Sequence, residues 1–271
     1  MSRFLSAVFF GAAIFAAPAL ADTTPVPTLR LGGTGGAMGM AQRIAEAYAA
    51  SGPRIEIIPG LGSSGAINAV ADGVIELAVA SRQLKPAEVA KGLTAVHFAR
   101  TPIVWVTSHP APPSIGSADL PGIFTAPAPK WADGSPINII LRLASDTDVA
   151  IVEEYFPGLK EAFAEARRRP EVPVTATDQD NVAVAEHLPG SFVHAGLSQV
   201  VVEGVDLRIV PLDGVEPTLE SLERGAYPYE KPFYLVYAPA AADAAGRLLD
   251  FLRSPQGESL LRDAGSLPVA E

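Results

Sequence analysis

From Thr28 onward the apolar and polar positions follow two rhythms. TLRLGG predicts a short strand running into a glycine loop. MAQRIAEAYAAS then sets Met40, Ile44 and Tyr48 at i, i+4 and i+8, the spacing of an amphipathic helix. RIEIIPG predicts a second strand, residues 65–73 a second helix, and ELAVAS a short buried strand. A β-α-β-α-β order predicts a parallel or mixed sheet with helices on both faces. Ligands of such open sheets sit at the carboxyl ends of strands. Three loops fall at such ends: GGTGGAMG (32–39), GLGSSG (60–65) and ASRQL (80–84).

The pattern changes after VHFARTPIVWVTSHP. Residues 109–136 are rich in proline and small residues, which predicts an extended crossover and loop. INIILRLASDTD predicts another strand and loop, followed by the helices VAIVEEYF and LKEAFAEARRR and the strand VPVTA. SFVHAGLSQVVVE and DLRIVPL read as paired strands. PFYLVYAP returns as a hydrophobic strand before a C-terminal helix pair. A chain that leaves one α/β unit, builds a second and returns to finish the first predicts a two-lobed, hinged fold. Residues 22–108 and 230–271 would form lobe 1, and residues 109–229 lobe 2.

Composition adds compartment and charge. The 271 residues are 48% hydrophobic and 18% charged, enough to bury a sizeable core. MSRFLSAVFFGAAIFAAPALAD carries Arg3, then an apolar stretch from Phe4 to Ala17, shorter than the roughly 20 residues that span a bilayer. It ends in Ala19-Leu20-Ala21, a small-x-small cleavage pattern. Residues 1–21 are therefore expected to be a cleaved signal peptide, the alternative being an uncleaved anchor. With no cysteine there is neither disulfide nor acyl anchor, as suits a protein diffusing freely in the periplasm. Net charge is −10, and loss of Arg3 makes it −11. That balance argues against nucleic acid and anionic membranes as partners. It leaves open a small anion held by backbone N–H groups and one arginine.

Two adjacent serines walled by glycines, where a strand turns into a helix, suggest two chemistries. A nucleophile elbow needs Gly-x-Ser-x-Gly; Gly62-Ser63-Ser64-Gly65 misses it by one residue whichever serine is chosen. None of His97, His109, His187 and His194 has an evident triad setting. The glycine loops match neither a dinucleotide nor a Walker motif, and no cluster has metal spacing. An anion site fits better. The first N–H groups of a helix lack intrahelical partners, and the dipole there favours negative charge. GLGSSGAIN offers such a start at Ser63 and Ser64, TGGAM offers another, and SDTD (145–148) a third, three residues after Arg142. Each alone also reads as an ordinary cap; together, beside an arginine on an apolar strand, they point to a shared ligand. Trp105 and Trp131 read as core, Arg167-Arg168-Arg169 as a solvated helix end, and His194 as a satisfied core histidine.

GLGSSGAINAVADGVIELAVASRQLKPAE resembles the core segment of phosphate-binding proteins of the phosphate ABC transporters. PGSFVHAGLSQV, LDGVEPTLESLERGAYPYEKPFYLVY and FLRSPQGESLLRDAGSLPV are similar to later stretches of that family, so the likeness covers residues 28–269. It implies a type II periplasmic binding fold closing on a tetrahedral oxyanion, phosphate first, without catalysis or cofactor. It also implies an ABC transporter permease as partner, and a monomer. Carried over by position, Ser63 donates through N–H and hydroxyl, with Ser64 beside it. Gly35 and Gly36 bind through backbone, with Thr34 a substitute for the hydroxyls missing there. Arg142 pairs with the anion, and Ser145, Asp146 and Thr147 form its second turn. Many relatives place a proton-accepting Asp where this chain has Ser81, followed by Arg82. That Asp rejects sulfate, because a fully ionised oxyanion would face a second negative charge. Asp146 replaces a glycine, and the interval from Arg142 to Ser145 is one residue short. Asp146 or Asp148 could take over as proton acceptor, or the pocket could serve another ligand. The alternative function is a periplasmic sensor or accessory protein with an altered pocket; an esterase or phosphatase built on Ser63 or Ser64 is a third.

Overall fold

The computed structural model describes residues 28–269, so the expected signal peptide lies outside the described residues. Strand β1 (Leu29–Gly33) leads through a short 3₁₀ turn (Gly35–Ala37) into helix α1 (Met38–Tyr48). Strand β2 (Ile55–Ile58), helix α2 (Gly62–Ala71) and strand β3 (Leu77–Ala80) follow. A short helix α3 (Pro86–Val89) precedes β4 (Thr94–Thr107), the longest strand. Next come α4 (Leu120–Thr125), β5 (Asn138–Ile139), β6 (Leu141–Arg142), α5 (Thr147–Tyr155) and α6 (Leu159–Ala166). Strand β7 (Val174–Thr175), α7 (Asp178–His187), β8 (Ser191–Gly196), α8 (Leu197–Glu203), β9 (Arg208–Val210) and α9 (Leu219–Glu223) continue the chain. Strand β10 (Glu230–Tyr237), α10 (Ala242–Leu252), α11 (Pro255–Asp263) and β11 (Leu267–Pro268) complete it.

The architecture is the two-lobed α/β binding-protein fold. One sheet runs β2-β1-β3-β10-β4-β8-β5. β1 lies parallel to β2 and β3, in the order expected for β-α-β units. β4 joins the two halves. Its first half pairs antiparallel with β10, and its second half with β8 and β9. β5 runs parallel to β8, and β6 with β7 forms a separate parallel pair. Both faces of the β1–β3 sheet are covered, as parallel sheets require. Met40, Ile44 and Tyr48 of α1 pack with Leu31, Leu77 and Phe233 on one face; Ile67 and Val70 of α2 pack with Ala78 and Val236 on the other. Beyond β4 the core is aromatic. Trp105 is fully buried and stacks on Phe192 with ring centroids 4.9 Å apart, and Trp131 meets the edge of the same ring at 5.9 Å. Such pairs add about 0.5–1.5 kcal/mol beyond the area they bury.

Three expectations need correction, and one helix was not anticipated. β8 and β9 do not pair with each other; both pair with β4, and LSQVVVE between them is helix α8. The valine run looks like a strand, but Gly204 at φ +63° closes a helix in the left-handed conformation. The proline-rich stretch contains helix α4. Helix α7, opened by TDQD, has no counterpart in the sequence reading. The arginine run is not simply solvated: Arg167 donates to the Arg142 carbonyl (3.1 Å), and Arg169 to the carbonyls of Ala126 (2.7 Å) and Phe124 (2.8 Å).

Candidate functional site

Four helix beginnings meet at one cleft. The turn before α1 supplies Thr34 and Gly35, α2 supplies Gly60, Gly62 and Ser63, and α5 supplies Asp146 and Thr147. The start of α7 supplies Thr177, Asp178 and Gln179, and Arg142 reaches in from β6. The cavity volume is about 60 Å³. A water needs about 10–15 Å³ of such space, so the cleft suits an ion of a few heavy atoms rather than a sugar or nucleotide. Gly62 turns the chain out of the strand end at φ +62°, a conformation that strains any L side chain. No side chain caps the N-terminus of α2, so its free N–H groups are available to the cleft. By contrast α5 is capped by Asp146, which accepts from the Asp148 N–H (2.8 Å), and α7 by Thr177.

Arg142 is the central charge. Only 3% exposed, it is ion-paired to Asp146 and lies 3.6 Å from Asp178. Its Nε and Nη1 are buried without a hydrogen-bond partner. Asp178 also accepts the Gly36 N–H (2.9 Å), while Gln179 donates to the Gly35 carbonyl (3.0 Å). A Cβ on Gly35 would stand 2.5 Å from Asp178 Oδ2. This close approach leaves no room for a side chain at Gly35 while Asp178 holds its place.

A second layer lies behind Ser63. Its Oγ accepts the Ser81 N–H (3.1 Å) and lies 3.1 Å from Ser81 Oγ, which donates to Asp148 Oδ1 at 3.4 Å. Asp148 Oδ2 holds Lys231 Nζ at 2.5 Å. Burial alone would pull the Lys231 pKa down, but the carboxylates of Asp148, Asp178 and Asp146 outweigh it and the net shift is upward. The ammonium is thus a fixed charge. Two cations, Arg142 and Lys231, face three carboxylates, so the immediate site carries a net −1 before any ligand enters.

Of the residues singled out in the sequence, the cleft brings together Thr34, Gly35, Ser63, Arg142, Asp146 and Thr147. Gly36 is buried with its N–H committed to Asp178, and Ser81 is buried behind Ser63. Ser145 and Ser64 are exposed and outside the lining. Arg82 is turned away, donating to Ser64 Oγ (3.1 Å) and pairing with Glu88 (2.8 Å), whose carboxyl that bond holds below its ordinary pKa. The hydrogen bonds of Ser63 and Ser64 therefore go to Ser81 and Arg82, not to a histidine. Asp178 and Lys231 are absent from the sequence reading. Thr177 and Asp180 do carry a legible capping-box pattern after a strand, which would have placed Asp178 in a helix's first turn. Lys231 gives no local signal.

His194 lies under the cleft, in contact with Trp105 and Phe163, and its Nε2 is buried without a partner. It is a core histidine, as expected, but not a fully satisfied one. Burial lowers its pKa to about 4 from an ordinary 6.5. Between those values the unfolded chain binds a proton that the folded chain refuses, so stability falls as pH drops through this window. The penalty, from the cited values, is on the order of 3 kcal/mol. Thermal melts of His194→Gln should show a flatter pH dependence between about pH 6.5 and 4; an unchanged slope would assign the acid sensitivity to other groups.

Residues 18–256 match the family described as a PBP superfamily domain, and the chain belongs to that superfamily. Among individual relatives, it is 22% identical over 218 residues to the phosphate-binding protein PstS of Borreliella burgdorferi, a match covering 77% of each chain. A structure from Clostridium perfringens, named as a phosphate ABC transporter substrate-binding protein and solved with bound phosphate, superposes with a TM-score of 0.77 at 22% identity. It covers 90% of this chain and all of that one. The phosphate-bound high-affinity periplasmic protein PfluDING superposes at 0.70 with 11% identity, covering 90% of this chain and 91% of that one. Among the described residues no helix is long and apolar enough to cross a membrane.

Proposed function

We propose that this chain is a periplasmic solute-binding protein that captures an inorganic oxyanion, phosphate first, between its lobes and delivers it to an ABC transporter permease. The observation that carries this is Arg142, a buried guanidinium with two unpartnered nitrogens beside a small cleft and the uncapped N-terminus of α2. Unpartnered buried donors are costly, and an anion is the partner that satisfies both the guanidinium and the helix N–H groups. Binding would involve no covalent step: Arg142 supplies charge, and Ser63, Thr147 and the loop N–H groups supply direction. The phosphate proteins among its relatives support the same ligand.

Calorimetry of the signal-free chain near neutral pH tests it. Phosphate should give saturable heat, and at about 100 times Kd it should stabilise the fold by about 2.7 kcal/mol, a rise of several degrees in Tm. Neither heat nor stabilisation with millimolar phosphate, arsenate or sulfate would end the proposal. A second reading has its own support, because Asp146 and Asp178 already pair with Arg142. On that reading the chain is a periplasmic sensor or accessory protein, and the same titrations would be silent.

A further inference from the structure

We infer that the two halves of the molecule are strapped together by their own side chains, Asp178 above all, so that the cleft closes without a ligand. The inference concerns closure and goes beyond which ion the cleft takes. Gly35 and Gly36 belong to the turn between β1 and α1, whereas Asp178 and Gln179 open α7, beyond β4. Asp178 Oδ2 accepts the Gly36 N–H at 2.9 Å, and Gln179 Nε2 donates to the Gly35 carbonyl at 3.0 Å. The start of α7 therefore meets both a donor and an acceptor of the first loop. A second tie runs beside it. Asp148 of α5 holds Lys231 of β10 at 2.5 Å and accepts from Ser81, just after β3, at 3.4 Å. The strap is also braced from behind. Gln199 of α8, 2% exposed, donates to the Asp178 main-chain carbonyl (3.0 Å) and to Glu203 (3.1 Å). The other oxygen of Glu203 accepts from Gln179 (2.8 Å). α8 in turn packs on α1, where a Cβ on Gly39 would stand 2.7 Å from Val202.

A buried carboxylate needs partners, and two hold Asp178. Arg142 stands 3.6 Å from Oδ1 within the same half, and the Gly36 N–H reaches Oδ2 from the other. Separating the halves would remove the second. Water would replace it on both sides, but a hydrogen bond to a charged group remains favourable after that exchange, by roughly tenfold to a hundredfold in an equilibrium. A carboxylate oxygen on a loop amide is also the contact that an oxyanion would make there. Asp178 thus does for closure what a ligand oxygen would do, and from a fixed position. Because the strap consists of protein atoms, its contribution to closing is the same at any ligand concentration. A ligand that binds then has little closing left to drive.

Spin-label distances test this. The chain has no cysteine, so Val89→Cys in α3 and Val174→Cys in β7, both exposed, provide one label site on each half. The labelled, signal-free chain would be dialysed free of anions and measured with and without millimolar inorganic phosphate, with calorimetry of phosphate alongside. The chain with the native strap should give one distance distribution that phosphate shifts by less than its own width. Adding Asp178→Ala and Gln179→Ala should raise the weight of a longer-distance population at least tenfold without phosphate. Asp178→Asn, which keeps the shape and a neutral acceptor, and Gln179→Ala alone should fall between, and they decide the matter if the double variant does not fold. A native strap that is open without phosphate and closes on its addition would overturn the inference while leaving the oxyanion reading standing. Folded strap variants as closed as the chain they derive from would overturn it too. A chain closed throughout that gives no heat with phosphate keeps the strap and removes the oxyanion reading.

Discussion

Arg142→Met is expected to lower phosphate affinity by about a hundredfold to ten-thousandfold, measured by calorimetry. Two guanidinium nitrogens, Nε and Nη1, are buried without protein partners on a residue that lines the cleft, and on the proposed function an anion would take them. A hydrogen bond to a charged group contributes about 1.5–3 kcal/mol, and each 1.4 kcal/mol is a factor of ten, so losing two such bonds gives that range. The substitution also strips Asp146 and Asp178 of their shared cation. Asp146 retains a 20% exposed side chain and can recover part of the loss from water, so a modest fall in Tm should accompany the loss of binding. Arg142→Lys keeps charge but not the planar fork, and should fall between the two. Unaltered phosphate affinity in a folded Arg142→Met would show that the ligand, if bound, sits elsewhere.

The second large effect concerns stability. Lys231→Met should destabilise the fold by about 3–5 kcal/mol, because Asp148 would remain buried with its counter-ion gone. For a chain of this size that is a drop on the order of 10 °C in Tm. Lys231→Met combined with Asp148→Asn should recover most of it, since a neutral amide no longer needs the ammonium and still accepts from Ser81. Thermal melts of the two singles and the double give the coupling directly. Additive losses would mean that the 2.5 Å contact does not couple the two groups energetically.

Much of the fold was legible because it is repetitive. Period-two and 3.6-residue spacings placed β1, α1, β2, α2 and β3, and the three α1 positions that the periodicity names, Met40, Ile44 and Tyr48, are all buried. Reading failed where propensity and context disagree. Three consecutive valines argued for a strand in α8, yet Leu197, Ser198 and Gln199 pack inward and the left-handed Gly204 ends a helix. α7 was overlooked because its apolar positions are few and its start is a cap rather than a hydrophobic stripe. Of the residues that line the candidate cleft, Ser63, Thr34, Gly35 and Arg142 were legible, since a glycine-serine turn after a strand and an arginine on an apolar strand stand out in local spacing. Arg82, adjacent to Ser81 in sequence, was drawn off by Glu88, a partner only tertiary geometry selects.

Sequence by itself determined the alternation of strands and helices, the two-lobed plan, and the turns whose amides are free, because all of these follow from neighbours a few residues apart. Tertiary structure decided the electrostatics. Asp178 reaches Gly36 across 142 residues of chain, and Lys231 reaches Asp148 across 83. Whether such groups repel a ligand, steady the fold or orient a hydroxyl depends on contacts of about 3 Å between buried atoms, where water no longer screens them and charge is worth most.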